Sequence, residues 1–93
     1  MTTAHVCRKC RDHACVIEFL GRVGVGVDEV RCQKVCKGAL VGIPVAGRLE
    51  WFKDVSGRKA LAGLAAIAVD GRPPSKTLRK RRVRKLSGRP PRT

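Results

Sequence analysis

The spacing of apolar residues along the chain predicts two amphipathic helices. In the first, Val16, Phe19, Leu20 and Val23 recur at i, i+3, i+4 and i+7, which is the pattern of a helix with one buried face. Asp12 is a suitable N-cap for this helix. Two closely spaced glycines follow it and favour an end before residue 24.

The second helical stripe lies closer to the C-terminus. It consists of Ala60, Leu61, Leu64, Ile67 and Ala68, again at helical spacing. A serine at position 56 can cap its N-terminus, and an Asp-Gly pair at 70–71 can end it. The two prolines that follow prevent its continuation, because proline lacks the N–H that a helix interior needs.

Short β-rich runs surround these helices. Residues 39–45 and 48–53 are joined by a two-residue connection that contains glycine, which indicates a β-hairpin. In its second strand, Leu49 and Trp51 share one face, and we expect the alternate face, which carries Phe52, to be at least half solvated.

The order of the predicted elements defines a fold class. A stub of strand before Cys7 precedes the first helix, and a short strand over residues 27–32 follows it. A strand–helix–strand unit followed by a hairpin and a covering helix gives a small α/β sandwich with a mixed sheet and a reduced first strand. We expect this domain to occupy residues 1–71, with a tail over residues 72–93.

The basic charge of the chain is concentrated in that tail. The formal net charge is +14, and nine of the 21 basic residues lie within residues 75–93, where no acid occurs. We expect the tail to be disordered, because it is highly charged and poor in apolar residues. The nine residues are Lys76, Arg79, Lys80, Arg81, Arg82, Arg84, Lys85, Arg89 and Arg92.

Such a tail is typical of proteins that contact polyanions. Its first seven basic residues, between positions 76 and 85, are candidate contacts for the phosphates of RNA or DNA, or for an acidic partner protein. A role at a membrane surface is less favoured, because the tail has few large apolar side chains to insert.

The five cysteines lie within residues 7–36. No secretory signal opens the chain and no apolar run approaches the roughly 20 residues of a transmembrane helix, so we expect a cytoplasmic protein with reduced or metal-bound thiolates. A chain of 93 residues with only 3% aromatic residues has a small aliphatic core, which is often supplemented by a metal.

The cysteine spacing is compatible with more than one kind of metal site. Cys32 and Cys36 form a C-x3-C pair after the second predicted strand, and Cys7, Cys10 and Cys15 crowd the N-terminal end. Thiolates bind both iron–sulfur clusters and zinc. A four-cysteine zinc site would pair the C-x2-C motif at residues 7 and 10 with the C-x3-C motif, from which it is separated by 21 residues. It would leave one cysteine, that at position 15, unused.

A resemblance favours the iron–sulfur alternative. Residues 30–42 (VRCQKVCKGALVG), with residues 47–52 (GRLEWF) and the Ala/Leu-rich helix, resemble the thioredoxin-like 2Fe–2S ferredoxin domain of small bacterial proteins. The resemblance implies a thioredoxin-like fold, a 2Fe–2S cluster held by four thiolates, and one-electron transfer with a redox partner protein. By position it implies Cys7, Cys15, Cys32 and Cys36 as ligands, with Cys10 as the alternative to Cys15.

The sequence does not favour an enzyme. No nucleophile, base and orienting partner can be assembled from its residues, and Glu50 is more simply a solvated strand position. Cys7 and Cys10 could form a redox dithiol, but the helix begins too late to place its N-terminus at the first sulfur. We interpret His5 and His13 as solvated loop histidines.

Overall fold

The computed structural model describes residues 3–8, 13–31, 38–55 and 57–88, with the backbone alone at His13. Four strands of five residues form one sheet, and helices pack against it, so the predicted small α/β domain with a mixed sheet is confirmed. The described elements are β1 (Thr3–Cys7), α1 (His13–Arg22), β2 (Gly26–Val30), β3 (Val41–Val45), β4 (Arg48–Phe52), α2 (Gly57–Asp70), α3 (Lys76–Lys80) and a 3₁₀ turn (Arg84–Leu86).

The sheet has the order β2-β1-β3-β4. β1 pairs with β2 in parallel, and β3 pairs antiparallel with both β1 and β4. The sequence predicts only a stub for the first strand, but β1 has the same length as the others and lies inside the sheet. It reaches this length because the strand includes Cys7 itself and pairs along its whole length with β2.

The hairpin of β3 and β4 confirms the predicted connection. Ala46 and Gly47 both have positive φ angles, 51° and 81°, as a type I′ turn requires. Pro44 pairs with Leu49 beyond the last residue of β3 that pairs with β1. It therefore removes no hydrogen bond from the β1·β3 ladder, which is the position where a strand tolerates proline.

One face of the sheet carries the main core. Val16 and Leu20 of α1 and Leu64 of α2 pack there against side chains of the strands, among them Val6 and Ile43. Both helices confirm the predicted apolar stripes. Ser56, the predicted N-cap of α2, lies outside the described residues.

The same face includes Phe52, which is fully buried. The expectation that the Phe52 face of β4 is half solvated is therefore wrong. Leu78 of α3 belongs to the same core, and Glu50, the next residue of β4 on this face, is buried as well. Residues that follow α2 cover this part of the face. The alternation of apolar and polar residues within β4 does not predict that cover.

The opposite face has a smaller apolar cluster. Cys7, Val30, Leu40 and Trp51 form it together with Val83, and Leu49 and Leu86 pack against it. Gly42 makes room for the Trp51 indole, since a Cβ at position 42 would lie 2.8 Å from the ring. No helix in the described part of the chain is long and apolar enough to cross a membrane.

Candidate functional site

The carboxyl ends of β1 and β2 lie side by side. Cys7 is in register with Val30, and the N–H of Arg8 donates to the carbonyl of Val30 at 3.1 Å. On the other side of β1, the N–H of Cys7 donates to the carbonyl of Leu40 at 3.0 Å. The backbone of Cys7 therefore lies between the residues that precede and follow the segment 31–39. We call this end of the sheet, defined by Cys7, Arg8, Val30 and Leu40, the cysteine end.

The side chain of Cys7 is fully buried. It lies in the smaller apolar cluster with Val30, Leu40 and Trp51, on the face of the sheet away from α1 and α2. In these surroundings a thiol contributes to packing as a small hydrophobic side chain does.

Cys15 lies in different surroundings. It is exposed in the first turn of α1, and the next residue, Val16, packs on the other face of the sheet. Cys7 thus packs on the face of the sheet away from α1, whereas Cys15 is exposed on α1 itself.

The other predicted ligands, Cys10, Cys32 and Cys36, lie outside the described residues. Within residues 3–8, 13–31, 38–55 and 57–88, no group of three or more His, Cys, Asp or Glu side chains is arranged to hold a metal ion. The ligand set therefore stays a prediction.

His5 is a residue whose position the sequence did not predict. It lies in β1 rather than in a loop, and its Nδ1 is 3.1 Å from Oδ2 of Asp28 on β2. Its ring centroid is 6.3 Å from that of Trp51. These contacts depend on strand register, which places Asp28, His5, Gly42 and Trp51 in one row across the four strands. The residue pattern within a single strand does not predict such a row.

A second candidate region lies along the outer edge of β4. The N–H of Lys53 donates to the carbonyl of Arg81 at 2.9 Å, and the N–H of Val83 donates to the carbonyl of Trp51 at 2.8 Å. Further along, the N–H of Gly88 donates to the carbonyl of Leu49. Residues 81–88 therefore follow the edge of β4 and occupy hydrogen-bonding groups that an edge strand would otherwise expose.

A buried carboxylate strengthens this contact. Glu50 is only 7% exposed, and the hydroxyl of Ser87 lies 2.8 and 2.9 Å from its two carboxylate oxygens. The Nε atoms of Arg48 and Arg82 lie 3.8 and 3.9 Å from the same carboxylate. A buried charge needs such compensation, and here the strand and the tail supply it together.

Leu78 attaches the tail to α2. It is fully buried in the main core, and a Cβ at Gly63 would lie 3.0 Å from its Cδ1 and 2.7 Å from Oγ of Ser75. The absence of a side chain at Gly63 thus allows α3 to approach closely. Ser75 caps α3 by accepting a hydrogen bond from the N–H of Leu78 at 3.4 Å.

The predicted disorder of the tail is not confirmed for residues 72–88. Val83 and Leu86 pack near Trp51, while Leu78 packs on the other face. The prediction failed because these three apolar residues do not share one helical face. Instead, Leu78 lies in α3, Val83 is an extended residue and Leu86 lies in the 3₁₀ turn, and they reach different sides of the β4 edge.

The basic side chains of this segment point mainly to solvent. Arg81 is half-buried and donates from Nη1 to the carbonyl of Asp54 at 2.8 Å. We call the outer edge of β4, with residues 81–88 along it and the adjoining α3, the cationic edge. The exposed basic residues of its α3, edge and 3₁₀ segments are Lys76, Arg79, Lys80, Arg82, Arg84 and Lys85.

Comparisons of the chain with protein-family models, with curated proteins and with solved structures found no match.

Proposed function

We propose that this chain binds a 2Fe–2S cluster through four of its five cysteines and acts as an electron carrier or a cluster-bearing redox sensor. Its partner would be another redox protein, and its compartment the reducing cytoplasm, where thiolates persist. The cluster would supply one-electron chemistry, and the protein would supply the ligands, the shielding and the local charge.

The observation that carries this proposal is the position of Cys7 between Val30 and Leu40. Cys32 follows Val30 by two residues, and Cys36 precedes Leu40 by four. All three cysteines are thus tethered within a few residues of one end of the sheet. An iron–sulfur cluster needs this kind of convergence, because its four thiolates surround a compact centre.

The order of elements supports the finer assignment to a thioredoxin-like sandwich. The described chain has strand, helix and parallel strand, followed by a hairpin and a covering helix. In the resembled family, one ligand ends the first strand and the C-x3-C pair follows the second. Cys7, Cys32 and Cys36 match those places.

The surroundings of the cysteine end suit such a centre. The apolar neighbours of Cys7, including Val30, Leu40 and Trp51, would exclude water from one side of it. Arg8 and Arg31 are exposed at the ends of β1 and β2. Their positive charge would offset the negative charge of a four-thiolate cluster and favour its reduced form.

The positions of Cys7 and Cys15 also support a second candidate, a zinc site. Because Cys7 packs on the face of the sheet away from α1 while Cys15 is exposed on α1, the set of Cys7, Cys10, Cys32 and Cys36 is favoured for a compact centre. Such a zinc site would stabilise the fold and leave Cys15 free. It would supply no redox chemistry, so it would exclude electron transfer.

A series of serine variants purified under argon tests the proposal. We expect the wild-type protein to be brown, and Cys32→Ser and Cys36→Ser to lose the visible absorption. Cys10→Ser and Cys15→Ser form a matched pair, because only the variant that removes the fourth ligand should lose the colour. Colourless wild-type protein that contains one equivalent of zinc would eliminate the iron–sulfur proposal and support the second candidate.

A further inference from the structure

We infer that the cationic edge is a binding surface for the phosphate backbone of double-stranded nucleic acid. It is formed along β4, which lies at the other side of the sheet from β2. The inference does not depend on the metal proposed for the cysteine end, because the hydrogen bonds and ion pairs described here for the cationic edge are made by residues other than cysteine.

The fold holds the charges of this edge in place. Leu78 is fully buried, residues 81–88 are hydrogen-bonded along β4, and Ser87 contacts the buried Glu50. A disordered polycation would have to lose conformational entropy on binding, whereas this segment is ordered beforehand. Lys53 of the domain lies directly beside Arg81 and so becomes part of the same surface.

The distribution of acids concentrates the positive field on this side. Glu18 lies on α1, and Asp28 and Glu29 lie on β2, away from β4. Two acids contact the cationic edge: Glu50, which is buried and contacted by two arginines, and Asp54, whose carbonyl accepts a hydrogen bond from Arg81. A third acid, Asp70, ends α2. A surface with one sign of charge attracts a polyanion over a distance of up to about one Debye length.

The composition of the edge favours a nucleic acid over an acidic protein. Protein interfaces have an apolar centre, commonly built on aromatic residues. Here Trp51 and Phe52 are fully buried, and the one exposed large hydrophobic residue in the described part of the chain, Val69, lies on α2. Nucleic-acid interfaces are polar and strongly positive, as this edge is.

The same absence of exposed aromatic rings on this edge favours a duplex over a single strand. Proteins that bind single strands stack the bases on aromatic side chains, and the two aromatic residues of β4 are inaccessible. Exposed arginines such as Arg79 and Arg84 can instead form paired hydrogen bonds with phosphate oxygens. Contacts of this kind fix position on a duplex without reading its sequence.

Binding of the full-length chain to labelled 20-base-pair duplexes of DNA and of RNA tests the inference, with fluorescence anisotropy measured between 50 and 200 mM salt. Lys80→Gln and Arg84→Gln should each lower the affinity about five-fold at 0.1 M salt and reduce the salt slope by about 0.9. Lys53→Gln should have a similar effect. Arg22→Gln removes the same charge from α1 and serves as the matched control.

The two duplexes show whether the groove geometry of DNA or of RNA fits the edge better, and tight binding to either one supports the inference. Equal effects of all four substitutions would overturn it, because the binding would then follow net charge alone. If Lys53→Gln behaved like Arg22→Gln while the two tail variants weakened binding, the edge would not be one fixed surface. Tighter binding to a polyglutamate peptide than to either duplex would indicate an acidic protein partner instead.

Discussion

The cysteine end and the cationic edge differ in how the chain brings their side chains together. At the cysteine end, the sheet holds Cys7 between the two ends of one segment, and most of the proposed ligands are close in sequence to β1 or β2. At the cationic edge, the contacts join residues far apart, such as Glu50 and Ser87. Spacing along the chain therefore indicates the first region. For the second, the sequence identifies the basic residues, but only the folded structure shows that they lie on an ordered edge.

The two regions also differ in the charge that surrounds them. A value of +14 suggests a uniformly basic protein or a basic tail with no structure. The structure instead arranges much of that charge on one edge of the sheet and several acids near the other. Charge of one sign on an ordered surface is more selective for the shape of a polyanion than the same charge on a flexible tail.

Truncation of Leu78 is expected to have the largest effect on stability. Leu78→Ala should lower the free energy of unfolding by about 2–5 kcal/mol, because the side chain is fully buried in the main core. Urea unfolding measures this. Val69→Ala, at a position that is 60% exposed, should change it by less than about 0.5 kcal/mol. Similar small effects of both substitutions would show that the tail is not part of the fold.

Serine substitutions at the two described cysteines should have different effects on stability, because Cys7 is buried and Cys15 is exposed. In chelator-treated protein, Cys7→Ser is expected to lower the free energy of unfolding by about 1–3 kcal/mol, because it places a hydroxyl in an apolar cluster. Cys15→Ser, at an exposed position, should change it by less than about 0.5 kcal/mol. Equal effects would contradict the burial of Cys7.

Loss of the hydroxyl at Ser87 should have a smaller effect. Ser87→Ala removes a hydrogen bond to a buried carboxylate and is expected to lower the free energy of unfolding by about 1.5 kcal/mol. A double-mutant cycle with Glu50→Gln measures the coupling between the two residues. Strictly additive effects would mean that the two side chains do not interact in solution.

Alanine substitutions at two helical glycines, Gly21 and Gly63, are expected to have the smallest effects on stability. Gly21→Ala on α1 should raise the free energy of unfolding by about 0.5 kcal/mol, because no atom lies within 4 Å of the added Cβ and alanine favours a helix. Gly63→Ala on α2 should cancel or reverse that gain, because its Cβ would meet Ser75 and Leu78. An equal rise in both thermal unfolding midpoints would indicate that α3 does not pack on α2.

The parts of the fold that depend on local pattern could be predicted from the sequence. The stripes around Leu20 and Leu64 predicted α1 and α2, and the glycine at position 47 predicted the hairpin. The face of Phe52 and the order of the tail could not be predicted. Both depend on Leu78 and Ser87, whose partners are distant in sequence and follow no helical or strand period.

The candidate metal site could be predicted from the sequence only in part. Its residue types and spacings are evident in the sequence, but the burial of Cys7 depends on the face of β1 on which this residue lies. The alternation of apolar and polar residues cannot show which face Cys7 occupies, because the sequence predicts only a stub of β1. The pairing of His5 with Asp28 depends on the same register.

Iron and acid-labile sulfide analysis of the anaerobically purified full-length protein, together with its visible spectrum, tests the proposal that the cysteine end holds a 2Fe–2S cluster. We expect two iron atoms and two sulfides per chain, with absorption that bleaches on addition of dithionite. Protein that contains one zinc ion, no sulfide and no visible absorption would contradict it.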